Sequence, residues 1–151
     1  MTIARWLGDG EVTQYLHEGP ATAAAVTAAV ERAHLPIVTH LFSRDGRFFM
    51  ICLPKGPAVG FLRLAHRPSE VEVTLAIGER RLWGRGMGRD AIGLALGHAF
   101  FEWRARRVVA NIHPRNVRSL RAFAAAGFQV EREAAGNVRM GIEMAQFLKR
   151  A

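Results

Sequence analysis

The sequence predicts one α/β (α+β) domain over residues 1–151, with a mixed, mostly antiparallel central sheet flanked by helices. Three observations carry this expectation. Residues 47–53, 58–65 and 71–77 are strand-like apolar runs separated by Pro/Gly turns, the signature of an antiparallel meander. A glycine-rich loop, Gly84-Arg85-Gly86-Met87-Gly88, then opens a long helical stretch. Beyond it the chain reads strand, helix, strand, strand.

The elements follow in order. Residues 5–17 carry Trp6, Val12, Tyr15 and Leu16 at helical spacing and predict one or two short helical turns, broken at Gly8 and Gly10. Gly19-Pro20 punctuates, and the Ala-rich run 21–33, with Val26 and Val30 four apart, predicts a helix that Pro36 stops. Residues 38–42 predict a short strand before the meander. Residues 88–106 predict one helix of about twenty residues, apolar on more than one side and so well buried. Residues 107–112 predict a strand, and His113-Pro114-Arg115-Asn116 a turn that ends on the helix N-cap Asn116. The next helix runs to Ala126 and stops at Gly127. Strands over 128–132 and 138–144 flank the turn at Ala135-Gly136-Asn137.

Composition excludes several classes. Half of the 151 residues are apolar, which excludes disorder. No apolar run approaches the ~20 residues of a membrane span, and no signal-like pattern opens the chain, so a cytoplasmic protein is expected. The single cysteine, Cys52, excludes an internal disulfide framework and a Cys-rich zinc site; set in an apolar run, it reads as a core residue. His17, His34, His40 and His66 show no metal spacing, and no metal is expected. His98, beside Leu94 and Phe101, reads as a packed histidine, and His113 as a turn residue. The net charge is +8, from nineteen Arg and two Lys against thirteen acidic residues. This balance admits an anionic partner without choosing among phosphates, nucleic acid and an acidic membrane.

The stretch 71–95 carries the most chemistry. Three glycines at alternate positions let the backbone turn tightly and approach a ligand. The helix that follows offers free N–H groups and a positive dipole end, and Arg85 and Arg89 add charge, which together make a pyrophosphate cradle. The run matches neither a P-loop nor the Rossmann fingerprint.

Trp83-Gly84-Arg85-Gly86-Met87-Gly88 resembles the pyrophosphate loop of the GNAT acetyltransferase superfamily. The pattern Asn116-x-x-Ser119-x-x-x-Phe123-x-x-x-Gly127-Phe128 is similar to that family's penultimate helix. Trp83 at the head of the loop, and residues 6–16, resemble the branch of ribosomal-protein N-terminal acetyltransferases and spermidine N-acetyltransferases. The resemblance covers nearly the whole chain. It implies acetyl-CoA as co-substrate, lying where the neighbouring parallel strands 71–77 and 107–112 splay apart. It places the pantetheine arm on Leu75, Ala76 and Ile77, and the pyrophosphate on Trp83, Gly84, Arg85, Gly86, Met87, Gly88 and Arg89. Asn111, Asn116, Ser119 and Phe123 complete the implied cofactor site.

The implied reaction is direct attack of a primary amine on the thioester. Glu72 is the expected base, with Glu70 as fallback, and alternation puts Glu72, Thr74 and Ala76 on one face of their strand. The chain departs from the family where Phe123 replaces a tyrosine that serves as general acid. Ser119 is similar to a serine that some members of the branch offer near the thioester sulfur, as a hydrogen-bond donor; a CoA thiolate can also leave without a dedicated acid. A first strand usual in the family is missing at the start, which leaves a sheet edge to be covered by another segment, a partner chain or residues upstream. The basic cluster 103–107 suits a helix end and offers a contact for the 3′-phosphate.

The acceptor is expected to be a small-molecule amine, a protein N-terminus or a lysine, with a homodimer as the family's common state. A non-catalytic acyl-CoA-binding module on the same fold is the alternative. Nucleic-acid binding ranks last, because no aromatic residues interleave the basic ones.

Overall fold

The computed structural model describes residues 2–15 and 45–151 of the chain. The expected helix over 21–33 and strand over 38–42 lie outside the described residues, as do His17, Glu18, His34 and His40.

The meander forms where alternation and turn residues require it. β1 (Gly46–Cys52), β2 (Ala58–His66) and β3 (Val71–Ile77) pair antiparallel in sequence order. β4 (Arg107–Ile112) lies parallel to β3, while β5 (Gln129–Ala134) and β6 (Asn137–Glu143) return antiparallel. Among the described residues the order of the six strands is β1-β2-β3-β4-β6-β5, with β1 and β5 outermost. β2 is buried along almost its whole length, as a central strand covered on both faces must be, whereas every residue of β5 is exposed.

Two apolar layers sandwich the sheet. On one face Leu62, Leu64, Val71, Val73, Val108, Ala110, Met140 and Ile142 meet Ile92, Leu96 and Phe100. The last three come from α3 (Met87–Gly97) and the π-helical turn that continues it, His98–Glu102. Phe123 from α4 (Val117–Ala125) closes the same layer. On the other face α1 (Thr2–Gly8) and α2 (Gly10–Thr13) lay Trp6, Leu7 and Val12 over Phe61 and Ala76. The alternation expected in β3 therefore holds, with Val71 and Val73 toward one layer and Ala76 toward the other.

Four expectations are corrected. The helix over 88–106 ends earlier: α3 stops at Gly97, the π turn stops at Glu102, and Arg104 takes a left-handed φ of 52° that no helix continues. The last strand stops at Glu143, because α5 (Met144–Leu148) begins there and the Glu143 N–H donates to Gln146 Oε1 at 2.8 Å. The preceding strand is shifted, running from Gln129 to Ala134. Cys52 is exposed rather than buried: it is the last residue of β1, where the register with β2 becomes irregular. His98 is packed as expected: its side chain is 12% exposed, its ring stands edge-on to Phe49 and Trp103, and Nδ1 lies 3.2 Å from Glu102.

Candidate active site

β3 and β4 are in register only at Val71↔Val108 and Glu72↔Val109. Beyond those pairs both strands continue, to Ile77 and Ile112, without bonding each other. This is the splayed parallel pair that the family resemblance implies. The opposite edge of β3 is taken by β2, and Gly78 N–H donates to Val59 O at 2.9 Å. By alternation the main-chain groups of Leu75 and Ile77 face the gap.

The loop after β3 is held at its head by Trp83, whose Nε1 donates to Ile77 O at 2.8 Å. Gly84 and Gly86 then take left-handed φ values of 75° and 81°, conformations an L side chain adopts only with strain. Asp90 N–H closes on Gly86 O at 3.0 Å, so the N–H groups before it in the first turn of α3 have no acceptor within the helix. A Cβ on Gly88 would stand 3.3 Å from Leu75 and 3.5 Å from Ala122, the closeness with which α3, α4 and β3 meet under the loop. Opposite, Asn116 Oδ1 caps α4 by accepting from Ser119 N–H at 3.3 Å. Arg118 lays its guanidinium over the Trp83 ring, 3.2 Å from the centroid, and so joins the two walls.

Between these walls lies a cleft of about 390 Å³. Residues 75–77 and 83–89, with Asn116 and Ser119, line it together. Two of the expected cofactor residues do not. Phe123 is 3% exposed and stacks edge-on against Phe128 in the core. Asn111 accepts a hydrogen bond from Asn137 Nδ2 at 3.1 Å, and its neighbours Ala110 and Ile112 point into the helix-side core. The basic stretch 103–107 is also elsewhere. It follows the far end of α3, and Arg107 is ion-paired with Glu70, Glu131 and Glu143.

Tyr15, Arg118 and Arg121 line the cleft without having been singled out by the sequence reading. Tyr15 arrives from the distant N-terminal segment and stacks on His113, with ring centroids 5.1 Å apart. His113 Nδ1 accepts from Arg115 N–H at 3.1 Å, which fits its turn role. Arg80 fixes α2 by bonding Glu11 at 2.7 Å and approaching Asp9 at 3.3 Å. The Glu11 hydrogen bond, then the charges of Asp9 and Glu11, hold that guanidinium above its ordinary pKa. Partial desolvation pulls Arg118 below its own, against the opposing fields of Tyr15 and Glu11.

Glu70 and Glu72 lie on the sheet face away from α3 and α4, beside the point where β3 and β4 part. Both oxygens of Glu70 are engaged, Oε1 by Arg139 and Oε2 by Arg107. Glu72 offers only Oε2, to Arg67 Nε at 2.8 Å, and its Oε1 has no partner among the described residues. Among the described residues no group of three His, Cys, Asp or Glu side chains converges to hold a metal ion, and no helix is long and apolar enough to cross a membrane.

A parallel strand pair that splays beside a glycine-rich helix N-terminus defines an α/β domain with an anion-binding type of cleft at the end of its sheet. The family model described as the acetyltransferase (GNAT) domain matches residues 1–129, and the chain belongs to the GNAT acetyltransferase family. A curated relative, the probable N-acetyltransferase YjcK of Bacillus subtilis (strain 168), is 37% identical over 57 residues. That match covers 38% of this chain and 32% of the relative, so it spans about a third of that protein's length. The fold is shared with the spermidine N-acetyltransferase of Vibrio cholerae in complex with CoA and spermine, with a TM-score of 0.76 and 16% identity over 97% of this chain and 90% of that one. It is shared equally with the aminoglycoside acetyltransferase AAC(6')-Ib in complex with coenzyme A, with a TM-score of 0.76 and 16% identity over 99% and 92%.

Proposed function

We propose that the chain is an acetyl-CoA-dependent N-acetyltransferase that transfers the acetyl group to a primary amine by direct attack on the thioester. The observation that carries this reading is the cleft itself. A glycine cradle in left-handed conformations, with unclaimed N–H groups, leads to the gap between β3 and β4. The residues present suit the co-substrate: N–H groups and Arg85 and Arg89 for a pyrophosphate, and the free main chain of Leu75 for an amide-bearing arm. When bound, acetyl-CoA supplies the activated acetyl group.

The chain's own residues handle the protons. An alkylamine with a pKa of about 10.4 costs roughly 4–5 kcal/mol to deprotonate at pH 7, so a base near the gap matters. Glu72 fills this role better than Glu70, because Oε1 of Glu72 is free to accept while both oxygens of Glu70 are bound by arginine. Ser119 and Tyr15 are the two hydroxyls on the cleft available to hydrogen-bond the leaving sulfur, a role Phe123 does not fill. The amine bound by the Vibrio cholerae neighbour is a polyamine, and the other neighbour is named for aminoglycosides. A small-molecule amine is therefore the first acceptor class to test, and a protein N-terminus or lysine the second. The reading takes residues 1–151 as one cytoplasmic domain.

The test is thiol release from acetyl-CoA in the presence of spermine, kanamycin and a short N-terminal peptide. Amine-dependent thiol release that Glu72→Gln slows supports the reading. Acetyl-CoA binding with no turnover for any amine supports the second reading, a non-catalytic acyl-CoA-binding module, which the burial of Phe123 favours.

A further inference from the structure

Four arginines line the cleft, Arg85, Arg89, Arg118 and Arg121, and among the described residues that line it there is no carboxylate. They form two groups. Arg85 and Arg89 belong to the glycine loop and the first turn of α3. Arg118 and Arg121 stand three apart on α4, on the opposite wall, and share one side of that helix. Arg89 is paired with its neighbour Asp90 at 3.0 Å. Arg118 makes its contact with an uncharged ring, and Arg121 has neither a hydrogen bond nor an ion pair among the described residues. The α4 pair therefore presents two positive charges to the cleft with no ion pair to either among the described residues, the field of Glu11 reaching Arg118 from outside the lining.

The charges of the ligand divide in the same way. A pyrophosphate diester carries two negative charges, which the loop N–H groups, the helix dipole, Arg85 and Arg89 are placed to meet. A phosphomonoester carries ≈ −1.5 to −2 at pH 7 and three acceptor oxygens, and suits a planar guanidinium better than an ammonium. The stretch 103–107 is badly placed for such a group. It follows the far end of α3, about 20 Å or more from the loop by the 1.5 Å rise per residue, with Arg107 held by three glutamates.

Building on the acetyl-CoA reading, we propose that Arg118 and Arg121 form a separate subsite on α4 for the 3′-phosphate of the co-substrate, so that the cleft selects CoA over its 3′-dephospho form. The Trp83 ring, tied to Ile77 O, holds the Arg118 guanidinium flat at the cleft wall before the ligand arrives. A bound phosphate would add a direct ion pair to the partly desolvated Arg118, which among the described residues has only the field of Glu11 and Tyr15.

The experiment is calorimetric titration of the full chain with CoA and with 3′-dephospho-CoA. The wild type is compared with Arg121→Ala, the double variant Arg118→Ala/Arg121→Ala, and Arg85→Ala. Arg121→Ala removes no hydrogen bond or ion pair and leaves the fold intact, so it reports on the ligand alone. The wild type should bind CoA about ten-fold or more tightly than the dephospho form, the range of a charge-assisted phosphate contact. Arg121→Ala should narrow that ratio, the double variant should abolish it, and Arg85→Ala should weaken both ligands by a similar factor and keep it. A wild type without preference, or a ratio that survives the double variant, overturns the subsite while the acetyl-CoA reading stands. A wild type that binds neither ligand overturns both.

Discussion

Replacing Gly86 by alanine separates the cost of a strained backbone from the cost of a lost ligand site. Gly86 has φ 81°, and the nearest atom to an added Cβ is the flexible end of Arg89 at 3.6 Å. The clash is therefore absent and the penalty is conformational, about 1–2 kcal/mol for an L residue in the left-handed region. For a chain of 151 residues that lowers Tm by roughly 2–8 °C. Gly136, in the β5–β6 turn, has φ 78° and nothing within 4 Å, so Gly136→Ala carries the same strain far from the cleft. The two variants should lose similar stability by thermal unfolding. In titration calorimetry with acetyl-CoA, Gly86→Ala should lose about ten-fold or more in affinity, because its methyl group occupies the backbone's approach to the pyrophosphate. Gly136→Ala should bind as the wild type does. Equal affinities for the two variants would refute the cradle.

Glu72→Gln should lower turnover most at low pH, where the acceptor amine is most protonated, and leave acetyl-CoA affinity unchanged; turnover unaltered across the pH range removes Glu72 as the base. Gly78→Ala should lower Tm by roughly 2–12 °C, since its Cβ would overlap the rigid Trp6 indole and overpack that face by about 1–3 kcal/mol. An unshifted melting curve would contradict the seating of α1 on the sheet. Cys52 should react with a thiol reagent in the native protein at the rate of an exposed cysteine and without loss of acetyl-CoA binding, as mass spectrometry of the folded chain can check; reaction only after unfolding would contradict its exposed position.

What could be read from the sequence was local in origin. Alternation in 71–77, the glycines at 84, 86 and 88, and the Asn116 cap each depend on a few neighbouring residues. They located β3, the glycine loop and the start of α4, while the splay of β3 from β4 was implied by the family resemblance. What escaped depends on distant packing. Tyr15 reaches the cleft only because α2 is pinned by Arg80 across the sheet's end, and no spacing in the chain announces that. Cys52 looks buried by composition, but it falls at the irregular end of the β1–β2 ladder and is exposed. Phe123 fits a motif position, yet the Phe128 ring turns it into the core. The long helix was overextended because residues 98–106 keep helical composition through a π turn and the left-handed Arg104. Arg118 and Arg121 lie inside the motif that identified the helix, and only the cleft shows which way they face.

The most direct test of the central claim, that this cleft holds acetyl-CoA, is thermal unfolding of the full chain with acetyl-CoA, free CoA and ATP in parallel. At about a hundred times Kd a ligand adds roughly 2.7 kcal/mol, a rise of several degrees for a chain of this size. The account predicts that rise with acetyl-CoA and CoA and little with ATP. A melting temperature that none of the three moves would contradict it.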